Sequence, residues 1–226
     1  MGFLFCDRAV KRRSLLVVFG VVMGLAAGSG VKGESSPPVV EWTFDEGAGT
    51  RAHDVTGGGC HATLAGASWV KQGKGYAVRL DGEDDYIDCT SQKPLVLESP
   101  FTIEAWIKPT RKGQGEAHLF GEGVASFALT YYNTELCLFY VGGGGNNVKY
   151  PLNLDKWQQV VVTFDGKLLG MWHNGRQVAS AKSKFNKTGS RGQVTIGTKG
   201  TSGGARFEGL VDQVRIYDRS LADAEI

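Results

Sequence analysis

The 226-residue sequence has little cysteine and no strong excess of charge of either sign. Its four cysteines include no Cys-x-x-Cys pair and no spacing with histidine that is typical of zinc ligands, which argues against a zinc site. The chain carries 25 Lys and Arg against 23 Asp and Glu, and its first 33 residues alone hold a net charge of +4. The rest is therefore near −2, and we expect no binding to nucleic acid because no large positive field remains to hold phosphates.

Helical periodicity is also lacking, apart from a short stretch at residues 220–225. The chain is a succession of short alternating runs separated by Gly, Asp, Asn and Pro, such as residues 101–108. Asn174-Gly175 stands between two such runs and predicts a β-hairpin, because both turn residues need a positive φ. Many short strands with glycine-rich turns predict an all-β fold, an antiparallel sandwich or jelly roll of two sheets.

The N-terminal segment has the order of a secretory signal peptide. Basic residues at positions 8–13 precede an apolar run at 15–27, which is shorter than the roughly 20 residues of a comfortable membrane span. We predict a signal peptide over residues 1–33, cleaved after Ala27 or Gly33, in preference to a retained anchor. A linker at 34–38 and one domain at 39–226 follow, so the protein is expected to be secreted, or exported to the periplasm or cell surface, without membrane contact after cleavage.

Several motifs in order resemble the laminin-G-like jelly-roll domains of the concanavalin A-like lectin and glucanase superfamily, with some similarity to pentraxins. They are residues 42–49, 80–87, 101–107, 157–160, 174–175 and 207–219. The resemblance covers residues 39–226 and implies a concanavalin A-like sandwich. It implies less about function, because this scaffold serves lectins, glucanases, adhesion modules and structural spacers alike.

Carboxylate spacing speaks against glycoside hydrolysis. A retaining glucanase needs two carboxylates about 5–5.5 Å apart, and alternate positions of one strand would supply them. The acidic run at 83–88 starts in a turn, and Glu104 has Thr102 and Trp106 two residues away on either side. We therefore expect a binding module without catalytic residues. A diverged hydrolase and a purely structural spacer of a larger surface protein remain the alternatives.

The resemblance also implies metal sites. Of the pentraxin-like calcium ligands only Asn133 is present, so that double site is expected to be lost. Related sandwiches tie the N-terminal segment to the last strand with one structural calcium ion, and Asp45, Asp54 and Asp212 are the candidates here. Calcium needs six to eight oxygens, several from carboxylates. The alternative is that these acids cap turns and face water.

Aromatic residues near amides are the candidates for ligand binding, because sugar sites combine aromatic faces with a few polar groups. Alternation in the run Leu168–His173 is expected to point Trp172 outward, next to Asn174. Tyr131, Tyr132 and Asn133 stand at another strand end. The expected partner is a glycan or an extracellular protein at a cell surface or matrix. For Trp172 the alternative is a side chain covered by a neighbouring loop.

Cysteine pairing and glycosylation complete the predictions. Cys6 leaves with the signal segment, and an oxidising compartment favours a Cys60–Cys89 disulfide. Three small buried thiols, Cys60, Cys89 and Cys137, are the alternative. Asn186-Lys187-Thr188 fits the N-glycosylation sequon, which has meaning only in a eukaryotic secretory pathway.

Overall fold

The computed structural model describes residues 36–90, 95, 97–122, 127–133, 135–140, 148–182, 194–198 and 205–226. The predicted signal segment and the Asn186 sequon lie outside these ranges. Within them, no helix is long and apolar enough to cross a membrane.

The described chain is built from strands and one short 3-10 turn at Asp223–Glu225. The strands are β1 (Val40–Trp42), β2 (Arg51–Ala52), β3 (Ala62–Ala65), β4 (Ser68–Gln72), β5 (Gly75–Asp81), β6 (Tyr86–Asp88), β7 (Phe101–Pro109), β8 (Gly113–Glu122), β9 (Phe127–Asn133), β10 (Glu135–Tyr140), β11 (Val148–Pro151), β12 (Gln158–Phe164), β13 (Leu168–His173), β14 (Arg176–Lys182), β15 (Val194–Ile196) and β16 (Glu208–Tyr217).

The strands form two antiparallel sheets. The first sheet has the order β14-β13-β12-β7-β16-β5-β4, and β1 pairs with the second half of β16. The second sheet has the order β11-β10-β9-β8-β15-β6-β3-β2. The predicted all-β, two-sheet sandwich is confirmed.

The core lies between the sheets and follows the alternation of the strands. In β7, Phe101, Ile103 and Ile107 are at most 2% exposed and join the core cluster, because alternate residues of a strand share a face. Burying each such side chain contributes about 1.5–3 kcal/mol. In β16 the core residues are Val211, Val214 and Ile216, and a regular strand would place Val211 and Val214 on opposite faces. A bulge between them corrects the phase.

The predicted hairpin at Asn174-Gly175 is confirmed. The two residues have φ values of 50° and 75°, and they join β13 to β14 through the pair His173 and Arg176. The side-chain oxygen of Asn174 accepts the Gln159 N–H at 2.9 Å, so its amide also holds the turn against β12. Asn174 therefore both forms the turn and makes a hydrogen bond to the neighbouring strand β12.

The predicted Cys60–Cys89 disulfide is wrong, because Cys89 is a free thiol. Its side chain is fully buried at the end of β6 in the second sheet, and burial raises the pKa of the thiol well above its ordinary value. Cys60 stands just before β3 of the same sheet, and its carbonyl oxygen accepts the indole N–H of Trp42 in β1 at 2.8 Å. Spacing along the chain does not reveal which cysteine stays unpaired.

Candidate binding site

A cavity of about 350 Å³ opens on the outer face of the first sheet. Its lining residues are Gln72, Trp106, Trp157, Asp212 and Gln213. We call it the tryptophan cavity. Both indoles are half-buried, so each packs against the sheet and still reaches solvent.

The strand pattern explains why these side chains meet. Ile107 faces the core, so its neighbour Trp106 faces outward; Gln158 is buried, so Trp157 also faces outward. The pairing of β7 with β16 places Asp212 beside Trp106. The bulge in β16 then adds Gln213, whose φ is 45° and whose N–H donates to the Asp212 carboxylate at 2.8 Å. Without the bulge this amide would not stand beside the carboxylate on the outer face.

Asp212 is the electrostatically unusual group of the cavity. Burial raises the pKa of its carboxyl to about 6. The hydrogen bond from Gln213 and the charge of Arg215 oppose this rise in pKa, and the negative charge of Asp45 adds to it. Asp45 is itself exposed and accepts the Tyr76 N–H at 3.0 Å. The cavity therefore holds a carboxyl that gains or loses its proton near neutral pH.

Beside the cavity, the same face carries an ion network centred on Arg215. Its guanidinium donates to Glu41 at 2.7 Å and to Glu104 at 3.1 Å, and the three residues are Cα partners in one row across β1, β16 and β7. Glu104 also accepts from Gln159 at 2.9 Å and from the Tyr217 hydroxyl at 3.4 Å. Both oxygens of Glu104 are thus held by protein donors. Its carboxylate neighbour is on another strand, where analysis within one strand could not find it.

The arrangement in the cavity suits recognition of a polar ring. Indole faces cover the C–H surface of a sugar, and amides and a carboxylate bind its hydroxyls and fix its orientation. The sequence analysis did not identify Trp106 or Trp157 as site residues. The alternation in β7 already carried the signal, because it put Phe101, Ile103, Ala105 and Ile107 on the opposite face.

The expectation that Trp172 presents an exposed ring is wrong. Its side chain is 5% exposed, although it lies outside the core cluster, on the outer face of β13 beside Val161. The ring lies over Gly170 of its own strand, where an added Cβ would overlap it. Glycine leaves room for the indole to fold down onto the sheet. Asn174 is exposed, but its side-chain oxygen is engaged in the hairpin contact described above.

Of the three residues of β9 that were predicted to bind a ligand, one is buried and two are exposed. Tyr131 is fully buried, contacts Phe207 edge to face, and donates its hydroxyl to the Arg111 carbonyl at 3.1 Å. Burial raises the pKa of this phenol to about 12. Its expected role at the surface is therefore wrong. Tyr132, at 41%, and Asn133, with a φ of 56°, are exposed at the strand end, on the sheet opposite the tryptophan cavity.

The three predicted calcium ligands do not form one set. Asp54 is 4% exposed and accepts hydrogen bonds from the N–H groups of Glu41, Thr56 and Cys60 and from the Thr56 hydroxyl, between 2.7 and 3.3 Å. Both of its oxygens accept hydrogen bonds that tie β1 to the following loop, and among the described residues no group of three potential metal ligands includes it. Asp45 and Asp212 interact electrostatically, but two carboxylates fall short of a calcium shell. Calcium binding by the chain stays a prediction.

A different acidic group lies in the turn after β5. One oxygen each of Asp81, Asp84 and Asp85 fall within 4.8 Å of one another, the one such group of three in the described part of the chain. The Asp81 carboxylate accepts the N–H groups of Glu83, Asp84 and Asp85, which lowers its pKa, although burial opposes this. The cluster is thus a hydrogen-bonded turn, and the acidic run at 83–88 begins within it.

Comparison with known proteins places this architecture in a family. The family profile described as the concanavalin A-like lectin/glucanases superfamily matches residues 81–226. Comparison with curated proteins finds no match at the threshold used.

Solved structures support the fold. The fourth domain of AbnA, a GH43 extracellular arabinanase from Geobacillus stearothermophilus, in complex with arabinotriose, is 19% identical with a TM-score of 0.62; the match covers 82% of this chain and 94% of that one. Trypanosoma rangeli sialidase in complex with sialic acid is 17% identical with a TM-score of 0.64, covering 82% of this chain and 31% of that one. The receptor-binding domain of botulinum neurotoxin type G is 14% identical with a TM-score of 0.64, covering 84% and 50%.

The chain thus spans almost all of the arabinanase domain, but at most half of the sialidase and toxin chains. At these identities the likeness concerns the fold. Together with the family profile and the two antiparallel sheets, it leads to one conclusion: the chain belongs to the concanavalin A-like lectin/glucanases superfamily.

Proposed function

We propose that this chain is an exported, non-catalytic domain that binds a glycan in the tryptophan cavity. The observation that carries the proposal is the pair of half-buried indoles, Trp106 and Trp157, beside a carboxyl and two amides in a cavity of about 350 Å³. A ring of saccharide size fits against such a surface, with its hydroxyls toward Asp212 and Gln72. The arabinanase domain solved with arabinotriose supports a binding role for this kind of fold.

The non-catalytic part of the proposal rests on Glu104. Its carboxylate neighbour on the outer face is Glu41, and both carboxylates are bound to the guanidinium of Arg215. A carboxylate held in this way is poor as a nucleophile, because attack would require it to give up a charged partner. Its position at 7% exposure further limits access to a substrate.

A glycan array followed by calorimetric titration of the best ligand tests the proposal. Trp106→Ala and Trp157→Ala are each expected to weaken binding about 10-fold or more, since buried aromatic contacts dominate such sites. Tyr132→Ala is the matched control, because it removes an exposed aromatic ring from the opposite sheet. Loss of binding in Tyr132→Ala alone would contradict the proposed site and favour the β9 end.

Two further arms separate the alternatives. The array is repeated with a chelator, since loss of glycan binding on chelation would support a calcium-dependent site. Release of reducing sugar from a polysaccharide panel, abolished by Glu104→Gln, would contradict the non-catalytic assignment. If the array detects no glycan binding and the hydrolysis assay detects no release of sugar, a structural or protein-docking domain would be favoured.

A further inference from the structure

A second cavity, of about 270 Å³, adjoins the tryptophan cavity on the same face. Three strands, β4, β7 and β16, each supply a pair of residues at positions i and i+2, with one member of the pair in each cavity. The pairs are Val70 and Gln72, Trp106 and Lys108, Leu210 and Asp212. Residues at this spacing face the same side about 7 Å apart along the strand. The two cavities are therefore neighbouring halves of one groove that runs parallel to the strands.

The second half of the groove is cationic. Leu210 is its floor, and Lys108 and Arg79 are the Cα partners of Leu210 on either side. Two strand spacings put their Cα atoms about 10 Å apart, so both long side chains reach the space above Leu210. Arg79 is exposed and Lys108 half-buried.

The acidic residues nearby that the structure describes do not form ion pairs with these two cations, which can therefore bind an anionic ligand. Glu208 lines the same cavity, but its Oε2 is 2.8 Å from Arg111 and its Oε1 accepts from Thr110 at 3.1 Å. Arg79 acts electrostatically on Asp85, a buried carboxyl whose pKa is raised by that burial. Among the residues that the structure describes, neither Arg79 nor Lys108 forms an ion pair.

We propose that the groove binds an oligosaccharide in which a unit carrying a carboxylate or sulfate adjoins an uncharged ring. The uncharged ring stacks in the tryptophan cavity, and the anionic group binds Arg79 and Lys108. Asp212 and Asp45 disfavour a second anion in the tryptophan half, so the charge of the ligand alternates. This inference deepens the proposed function and rests on it.

The test compares four probes by titration calorimetry at 50 mM NaCl. Hyaluronan hexasaccharide alternates a uronic acid with an uncharged ring, and its carboxyl-reduced form is the neutral counterpart. Hexagalacturonate carries an acid on every ring, and a keratan sulfate hexasaccharide sulfated only on its N-acetylglucosamine rings alternates a sulfate with an uncharged galactose. We expect an alternating probe to bind about 5-fold to 10-fold more tightly than the carboxyl-reduced one, and the ratio to shrink at 300 mM NaCl through screening.

Variants locate the effect. Arg79→Met with Lys108→Met keeps the apolar stems and is expected to abolish the preference, so that the intact and carboxyl-reduced probes bind with equal affinity. Lys71→Met is the control, because it removes an exposed cation of β4 whose side chain lies on the other face. Circular dichroism and thermal unfolding verify that each variant folds.

The outcomes separate the two proposals. Equal affinity for intact and carboxyl-reduced probes overturns the anionic subsite and leaves glycan binding in place. Tightest binding of hexagalacturonate overturns the pairing of an anionic unit with an uncharged ring. Preference for the sulfated probe alone, lost in the Arg79 and Lys108 variant, assigns the anion as sulfate. Failure of every probe here and of the glycan array overturns both proposals.

Discussion

The raised pKa of Asp212 makes the stability of the domain depend on pH in a defined direction. Its carboxyl has a pKa of about 6 in the folded chain, against about 3.9 in an unfolded one. Between pH 4 and pH 6 the folded state therefore holds a proton that the unfolded state lacks. Stability from this group is fully present below pH 4 and is lost as the pH rises through 6.

The magnitude follows from the shift. About two pKa units correspond to at most about 3 kcal/mol, and the partial exposure of Asp212 reduces this to about 1–2 kcal/mol. Asp212→Asn resembles the protonated form and keeps an acceptor for the Gln213 N–H. We expect it to raise the free energy of unfolding by about 1–2 kcal/mol at pH 7.5 and by almost nothing at pH 4. The accompanying rise in Tm at pH 7.5 is about 2–8 °C.

Urea denaturation of both proteins at pH 4, 5, 6 and 7.5 measures the effect. Asp45→Asn is the second variant, because it removes the neighbouring negative charge and keeps an acceptor for the Tyr76 N–H. In Asp45→Asn, the loss of stability that comes from ionisation of Asp212 should still occur, but at a lower pH than in the wild type. A difference between Asp212→Asn and wild type that is the same at pH 4 and pH 7.5 would refute the reasoning, since an effect of packing alone has no such window.

Two further predictions concern the interior and the ion network. Glu104→Gln should lower the free energy of unfolding, measured by urea denaturation, by about 1–3 kcal/mol, because it weakens a largely buried ion pair with Arg215. The double variant Glu104→Gln with Arg215→Met should lose less stability than the sum of the two single variants. Strict additivity would contradict the coupling between the two residues. Cys89 should resist a thiol reagent in the native protein and react once urea unfolds it, as read by mass spectrometry of its peptide; rapid native labelling would contradict its burial.

Local patterns were sufficient to predict the fold. The alternating run at residues 101–108 forms β7, and Asn174-Gly175 forms the expected hairpin. Both depend on backbone preferences over a few residues, which the chain expresses without help from distant segments. The resemblance of ordered motifs to a known family is confirmed by the match over residues 81–226.

The candidate site could be predicted only in part, because a strand pattern assigns a face and not what covers that face. Trp172 was correctly placed on the outer face, yet it folds over Gly170 and is buried. Trp106 lies on the same face and borders a cavity, because Asp212 and Gln213 stand beside it on β16. The position of Asp212 and Gln213 next to Trp106 depends on the pairing of β7 with β16, two segments that are far apart in the chain.

The sequence by itself determined the strands, the turns and the class of fold, since these follow from residue alternation and from φ preferences at turns. Tertiary structure alone decided which carboxylates are neighbours, as with Glu41 and Glu104 around Arg215. It also decided that a bulge in β16 puts Asp212 and Gln213 on one face and brings two cavities into line. Binding chemistry depends on such contacts between strands, and their register is set by the packing of the whole sheet.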